Sequence, residues 1–274
     1  MTQSLRDLDY LPDRIRHSRQ SDRRGVVVVE GPSDQRLLDR VAGKRWATFP
    51  AGTRDEVVVV VAQTIELGVV RVAGLIDRDF DDLAERSSRE GMPVVSFNEA
   101  DLEAELVRAE YFDDVIKELA SPTKLAANGG VEELRRLAIT FAMLVGLVRR
   151  QNALRGWGIN FNSVELHQRI DTKNLALKLS GFCAVASQAS GGTVTASELK
   201  AIVETEIAYP PEAGAFRGKD ALILVQVALK RKWGDKRIED WDVLPAMLRV
   251  SIDGRILTYA PFVSIEELVA EDDA

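Results

Sequence analysis

The chain is predicted to be an α/β protein: a doubly wound, mostly parallel sheet with flanking helices over residues 1–108, followed by a mainly helical domain over 109–274. Three observations lead there. Val26–Val29 is a continuous apolar run, and Val69–Ile76 is a second stretch of the same design broken only by Arg71, the pattern of strands buried on both faces. Between residues 25 and 108 such strand-like runs alternate with helix-period segments, as βαβ units require. Beyond residue 108 helical periodicity dominates. A length of 274 residues is comfortable for two domains, and 46% hydrophobic with 29% charged residues is the composition of a globular chain.

The elements follow in order. Residues 1–24 are arginine-rich and read as a short helix and a loop. Val26–Glu30 is the first strand, and Pro32 suits the first position of a helix whose apolar face is Leu37, Leu38 and Val41. Trp46–Pro50 is a short second strand. Gly52-Thr53 opens the next helix. Its Val57–Val61 run has local strand character, but Ala62, Ile65 and Leu67 continue the segment to a stop at Gly68. Val69–Ile76 is the third strand, and the acidic turn Asp77-Arg78-Asp79-Phe80-Asp81-Asp82 follows it. After Gly91-Met92-Pro93 comes a fourth strand, Val94–Phe97, and a helix from Asn98 or Glu99.

Helices are then expected at Glu110–Ala120, Val131–Arg150, Ser163–Ser180, Ala196–Ile207 and Asp220–Lys232, with Tyr209–Gly214 as a loop. Leu134, Leu137, Phe141, Leu144 and Val148 recur at helical spacing, which is core packing. Leu248–Tyr259, centred on Asp253-Gly254, reads as a hairpin with a type I′ turn. The tail from Glu266 is acidic.

Composition excludes several classes. Cys183 is the single cysteine, so neither an intrachain disulfide nor a cysteine metal cluster is available. The polar N-terminus is not a signal peptide, and the longest apolar run, Leu137–Val148, is well short of the ~20 residues of a membrane span. A soluble cytoplasmic protein with no membrane partner is expected. His17 and His167 are the only histidines and lie far apart, which argues against a histidine-metal endonuclease or a Ser-His-Asp hydrolase. Gly214–Asp220 looks superficially like a P-loop, but its glycine spacing is one short and Asp220 replaces Ser/Thr.

Net charge is −7, which alone argues against a nucleic-acid partner, but its distribution is uneven. Residues 77–118 carry fourteen acids against five bases, and residues 217–237 carry seven bases against two acids. An acidic pole and a basic pole suit a metal site beside a phosphate-binding surface, though differing solvated helix faces would give the same tally.

The acids fall where chemistry is expected. In an open α/β sheet ligands bind beyond the C-terminal strand ends, and Glu30, Asp77, Asp79 and residues 98–103 all follow strands. Hard carboxylate oxygens hold Mg²⁺, and two such ions roughly 4 Å apart can activate water and stabilise a leaving oxygen. Asp77 and Asp79 are two apart across a turn and suit one ion, with Glu30 as a third ligand or general base. Asp34, in the first turn of a helix, is either a further ligand or a partner of the helix dipole.

On these residues the chain resembles a known family. "VVVVEGPSDQRLL" followed by "GLIDRDFDD" is similar to the Toprim fold, the Rossmann-like catalytic domain shared by topoisomerases, bacterial primases and OLD-type nucleases. The resemblance covers about residues 25–108. It implies Mg²⁺, with Mn²⁺ as a substitute, bound by Glu30, Asp77 and Asp79. "FNEADLEAELV" is similar to the aspartate-x-glutamate segment of OLD-like members, which implies Glu103, with Asp101 beside it, as ligands of a second metal. "FRGKDALILVQVALKRK" is similar to the glycine-histidine/lysine-aspartate motif of a Toprim family found as anti-phage effectors paired with an ABC-type ATPase (the AriB-like proteins of the PARIS system). That implies Lys219 facing the scissile phosphate, a nucleic-acid substrate (DNA or RNA, tRNA included), an ATPase partner and a homodimer.

The expected function is therefore a metal-dependent nuclease. Two alternatives stand beside it. One is a haloacid-dehalogenase-like phosphatase using Asp77 and Asp79; there Phe80-Asp81 departs from the family pattern and Glu30 has no role. The other is a non-catalytic Toprim scaffold that binds nucleic acid or a partner.

Overall fold

In the computed structural model, which describes residues 10–208, 214–234 and 240–270, helix α1 (Leu11–Ser18) leads into strand β1 (Gly25–Val29), every residue of which is buried. All of the expected loop Tyr209–Gly214 except Gly214 lies outside the described residues, as do residues 1–9, 235–239 and 271–274. Contacts divide the described residues into two units. The first takes those within 1–78, 82–97 and 252–274, and the second those within 79–81 and 98–251.

The first unit is an α/β sheet. After β1 come α2 (Pro32–Ala42), β2 (Trp46–Pro50), α3 (Arg54–Glu66), β3 (Val72–Ile76), α4 (Leu83–Arg89) and β4 (Val94–Ser96). All neighbours pair in parallel, in the order β2-β1-β3-β4. The chain steps one way from β1 to β2, then crosses over to β3 and β4, so a topological switch point lies between β1 and β3. The Val57–Val61 run is helical as expected. Thr53 caps α3 by accepting the Glu56 N–H at 3.3 Å, and Val57, Val60 and Val61 pack into the core. Gly74 of β3 lets that helix close down, since a Cβ there would stand 2.8 Å from Val57 Cγ1.

The second unit holds α5 (Leu102–Arg108), α6 (Glu110–Leu119), α7 (Pro122–Ala127), α8 (Gly130–Arg155), α9 (Leu179–Ala189), α10 (Ala196–Glu206), α11 (Gly218–Ala228) and α12 (Val243–Ser251). The long helix α8 buries Leu134, Phe141, Val145 and Val148. The helix expected over 163–180 does not form. Short 3-10 turns at Phe161–Ser163 and Leu166–Arg169 precede a two-stranded hairpin, β5 (Ile170–Asp171) with β6 (Ala176–Leu177). The reason is local: the Asp171 carboxylate accepts from Lys173 N–H at 2.9 Å and from Asn174 Nδ2 at 2.7 Å, and Leu175 takes φ 53°. These side-chain bonds offer the backbone an alternative to the helical ladder.

The hairpin expected at 248–259 is also overturned. Helix α12 runs through Leu248 to Ser251, and a 3-10 segment, Gly254–Thr258, follows. A type I′ turn needs positive φ at both central residues, whereas Asp253 has φ −124° and instead caps the 3-10 segment by accepting Arg255 N–H at 2.9 Å.

That 3-10 segment and α13 (Ala260–Val269) complete the first unit. Phe262, Ile265 and Val269 are buried, with the Phe262 ring edge-on to Phe97 at 6.0 Å. Trp46 Nε1 donates to Glu266 at 2.9 Å, and Arg71 Nε donates to the Val269 carbonyl at 2.9 Å. Gly25 is required here: a Cβ would stand 2.6 Å from Val269 Cβ. No described helix is long and apolar enough to cross a membrane.

Candidate functional site

In the first unit, β1 delivers Glu30 and β3 delivers Asp77 to the same sheet edge, one on each side of the switch point. The register pairs Val29 with Leu75, so both acids stand just beyond paired strand ends. Glu30 Oε1 accepts the Asp77 backbone N–H at 2.7 Å, the short distance of a charge-assisted bond. Both acids are half-buried, with access to solvent. The chain leaves each strand at once: the Glu30 carbonyl accepts Gly52 N–H at 2.8 Å, and Pro32 starts α2.

Asp34 sits in the first turn of α2, where its Oδ2 accepts Gly31 N–H at 3.2 Å. That bond is the return arm of a helix cap. Arg78, between the two aspartates, is tied to structure. Its Nε donates to the Phe97 carbonyl at 3.0 Å, its guanidinium pairs with Glu85, and its own carbonyl accepts from Arg54 at 3.1 Å.

In the second unit, Asp79 holds a left-handed backbone conformation, φ 50°, with its N–H donated to the Ala100 carbonyl at 2.9 Å. Aspartate tolerates that region better than most residues but is strained there relative to glycine. Asp101 is the N-cap of α5. Its Oδ1 accepts Ala104 N–H at 2.8 Å and Gly218 N–H at 2.9 Å, and Oδ2 lies 3.6 Å from Arg217 Nε. Burial pushes its carboxyl up to about 7, with the neighbouring Glu103 charge acting the same way and the two N–H bonds opposing. Glu103 is buried too, and its Oε1 accepts from Arg249 Nε at 2.7 Å.

The Gly218-Lys219-Asp220 motif divides three ways. Gly218 brings the start of α11 against α5, where a Cβ would stand 2.1 Å from Ala104 N, so no side chain fits. Asp220 is buried in a two-pronged pair with Arg149: Nε to Oδ2 at 2.7 Å and Nη2 to Oδ1 at 2.9 Å. The Arg149 guanidinium also covers the Phe161 ring at 4.1 Å. Lys219 alone is exposed. Sequence reasoning passed over Arg149 and Arg249. Arg249 left one signal, a lone basic residue in the otherwise apolar helix α12, which asks for a buried acid as partner, whereas Arg149 lies among other charged residues of α8 and left none.

Among the described residues no group of three or more His, Cys, Asp and Glu side chains is arranged to hold a metal ion. Mg²⁺ asks for less, because it keeps several waters and takes one or two carboxylates. Glu30 and Asp77, hard-oxygen donors on adjacent strand ends with access to water, fit that demand. Asp101 and Glu103 are committed to backbone N–H groups and to Arg249, and ligation there would require those partners to be given up. No protein-family profile, no curated protein and no solved structure matches the chain.

Proposed function

We propose that the chain is a Toprim-type nuclease that hydrolyses phosphodiester bonds in DNA or RNA with Mg²⁺ or Mn²⁺. The observation that supports this most is the Glu30–Asp77 pair, two carboxylates at the C-terminal ends of adjacent parallel strands and astride the switch point. Open α/β sheets bind ligands there. A divalent ion held by Glu30, Asp77 and Asp79 would supply an activated water and charge neutralisation at the phosphoryl group.

The chain's own groups have distinct tasks in this reading. Glu30, anchored by the Asp77 N–H, keeps a fixed direction as ligand or general base. Asp79 is presented by a strained turn. Lys219, on a flexible stem at the first turn of α11, is the cation for the substrate phosphate. Asp101, Glu103 and Arg249 order the junction that carries Lys219 and act through position; Glu103 becomes a second-metal ligand only by exchanging Arg249. The same resemblance carries the wider setting: an anti-phage effector, a homodimer, held in check by an ABC-type ATPase.

The test is incubation of the purified protein with supercoiled DNA, single-stranded DNA and tRNA, with Mg²⁺ or Mn²⁺, beside Glu30→Ala. Cleavage that falls by roughly 10²-fold or more in the variant is expected. Cleavage indifferent to Glu30→Ala refutes the role of that residue. Hydrolysis of small phosphate esters without nucleic-acid cleavage turns the reading to a phosphatase. Co-purification with a neighbouring ATPase would identify a restrained effector.

A further inference from the structure

Helix α12 carries two apolar faces. Leu244 and Leu248 point inward and are fully buried, and Arg249 ties the same helix to Glu103. On the outer side Val243, Ala246, Met247 and Val250 follow at i, i+3, i+4 and i+7, and Val250 is 71% exposed. This is the spacing of a helix seam, about 10 Å long at 1.5 Å per residue. Together with α6 it borders an open groove of about 490 Å³. Val115 of α6 forms the floor, and Asp114 and Glu118, also on α6, form the far rim. The rim acids are one turn apart and exposed, and among the described residues no ion pair engages either. Among the described residues no base lines the groove.

We infer that this groove docks an amphipathic helix of another protein, one with an apolar i, i+3/i+4, i+7 stripe flanked by lysine or arginine. The apolar stripe supplies the seam, and the acid pair at i, i+4 selects a basic flank and fixes its direction. A second copy of this chain is the wrong occupant, because a two-fold contact would gather four carboxylates and, among the described residues, no base at one apolar floor. The groove is preformed, since the inward leucines and Arg249 hold α12 in place whether or not the outer face is covered. Little ordering cost therefore opposes docking.

The inference stands apart from the nuclease reading and is tested apart from it. A fluorescently labelled helical peptide with leucines at i, i+3, i+4 and i+7 and lysines along one flank is titrated into the full-length protein. An otherwise identical peptide with glutamate flanks is the control. The basic peptide is expected to bind at least tenfold more tightly than the acidic one, and to lose at least tenfold in affinity with Val250→Glu. The exposed position of Val250 makes that a variant the fold tolerates. The double variant Asp114→Lys, Glu118→Lys is expected to reverse the peptide preference. Equal binding of both peptides, binding of neither, or indifference to Val250→Glu overturns the inference. So does a dimer, measured by sedimentation, that Val250→Glu dissociates, for then a second copy is the occupant.

Discussion

At the residue scale, two positions show backbone geometry and chemistry acting together. Asp79 holds φ 50° without being glycine. Asparagine tolerates the same conformation, so Asp79→Asn removes the charge while leaving the backbone preference intact. Its melting temperature is expected to stay within about 2 °C of wild type, and on the nuclease reading proposed above cleavage is expected to fall roughly 10²-fold or more. A thermal melt beside a cleavage assay checks both halves, and a large fall in stability would mean the carboxylate is structural. Gly218 is the opposite case, a residue chosen for what it lacks. Gly218→Ala drives a methyl to 2.1 Å from the Ala104 nitrogen. A loss of at least roughly 1–3 kcal/mol is expected by denaturant unfolding, because the obstacle is backbone and cannot rotate away. Glu30 and Asp77 were legible as candidates because each follows an apolar strand, and strand ends are where a sheet presents side chains. The buried pairs Asp220–Arg149 and Glu103–Arg249 were not, because partners 71 and 146 residues apart leave no local trace.

At the element scale, the junction of α5 and α11 is organised by one buried acid. Asp101 caps α5 and receives the first N–H of α11, two donors on one oxygen. Its carboxyl is raised to about 7 from an ordinary 3.8 by burial first and by Glu103 second. The folded state therefore holds the proton more tightly than the unfolded chain. The stabilisation from this group is complete below about pH 4 and is lost as pH rises through about 7, at up to about 1.4 kcal/mol per pH unit. Asp101→Asn keeps an oxygen for both N–H donors and cannot ionise. Urea unfolding at about pH 4.5 and about pH 7.5 is expected to show the variant gaining on wild type at the higher pH, with no further gain above it. An unchanged difference between the two pH values refutes the raised carboxyl. Element type was legible where a pattern ran long. The Val57–Val61 run is helical because Ala62, Ile65 and the Thr53 cap outweigh local β-propensity. It was not legible at 163–180 or 248–259, where one aspartate side chain, Asp171 or Asp253, bonds the backbone just beyond it and starts a turn.

At the scale of the whole molecule, the sheet unit is built from stretches that the chain visits far apart. The alternation of strands and helices made its first ninety or so residues legible. Nothing in the apolar pattern of α13 says that it belongs with them, since an amphipathic helix announces a buried face but not what buries it. The structure supplies the partners: Phe97 for Phe262, Gly25 for Val269, Trp46 for Glu266 and Arg71 for the Val269 carbonyl. Burying Phe262, Ile265 and Val269 is worth about 1.5–3 kcal/mol each, a sum comparable to the roughly 5–15 kcal/mol that holds a typical domain together. The strands therefore share their core with a helix far along the sequence, a contact pattern of high sequence separation of the kind that slows folding. Truncation after Ser251 is expected to leave β1–β4 open to limited proteolysis, and Phe262→Ala to cost roughly 3–5 kcal/mol. Because the second unit ends at Ser251, the truncated chain keeps all of that unit's residues. Hydrogen exchange mapped along the sequence then separates the two outcomes. Protection lost in residues 25–97 and retained in α8 supports the assignment, whereas uniform protection in the truncated chain refutes the role of α13 in completing the sheet unit.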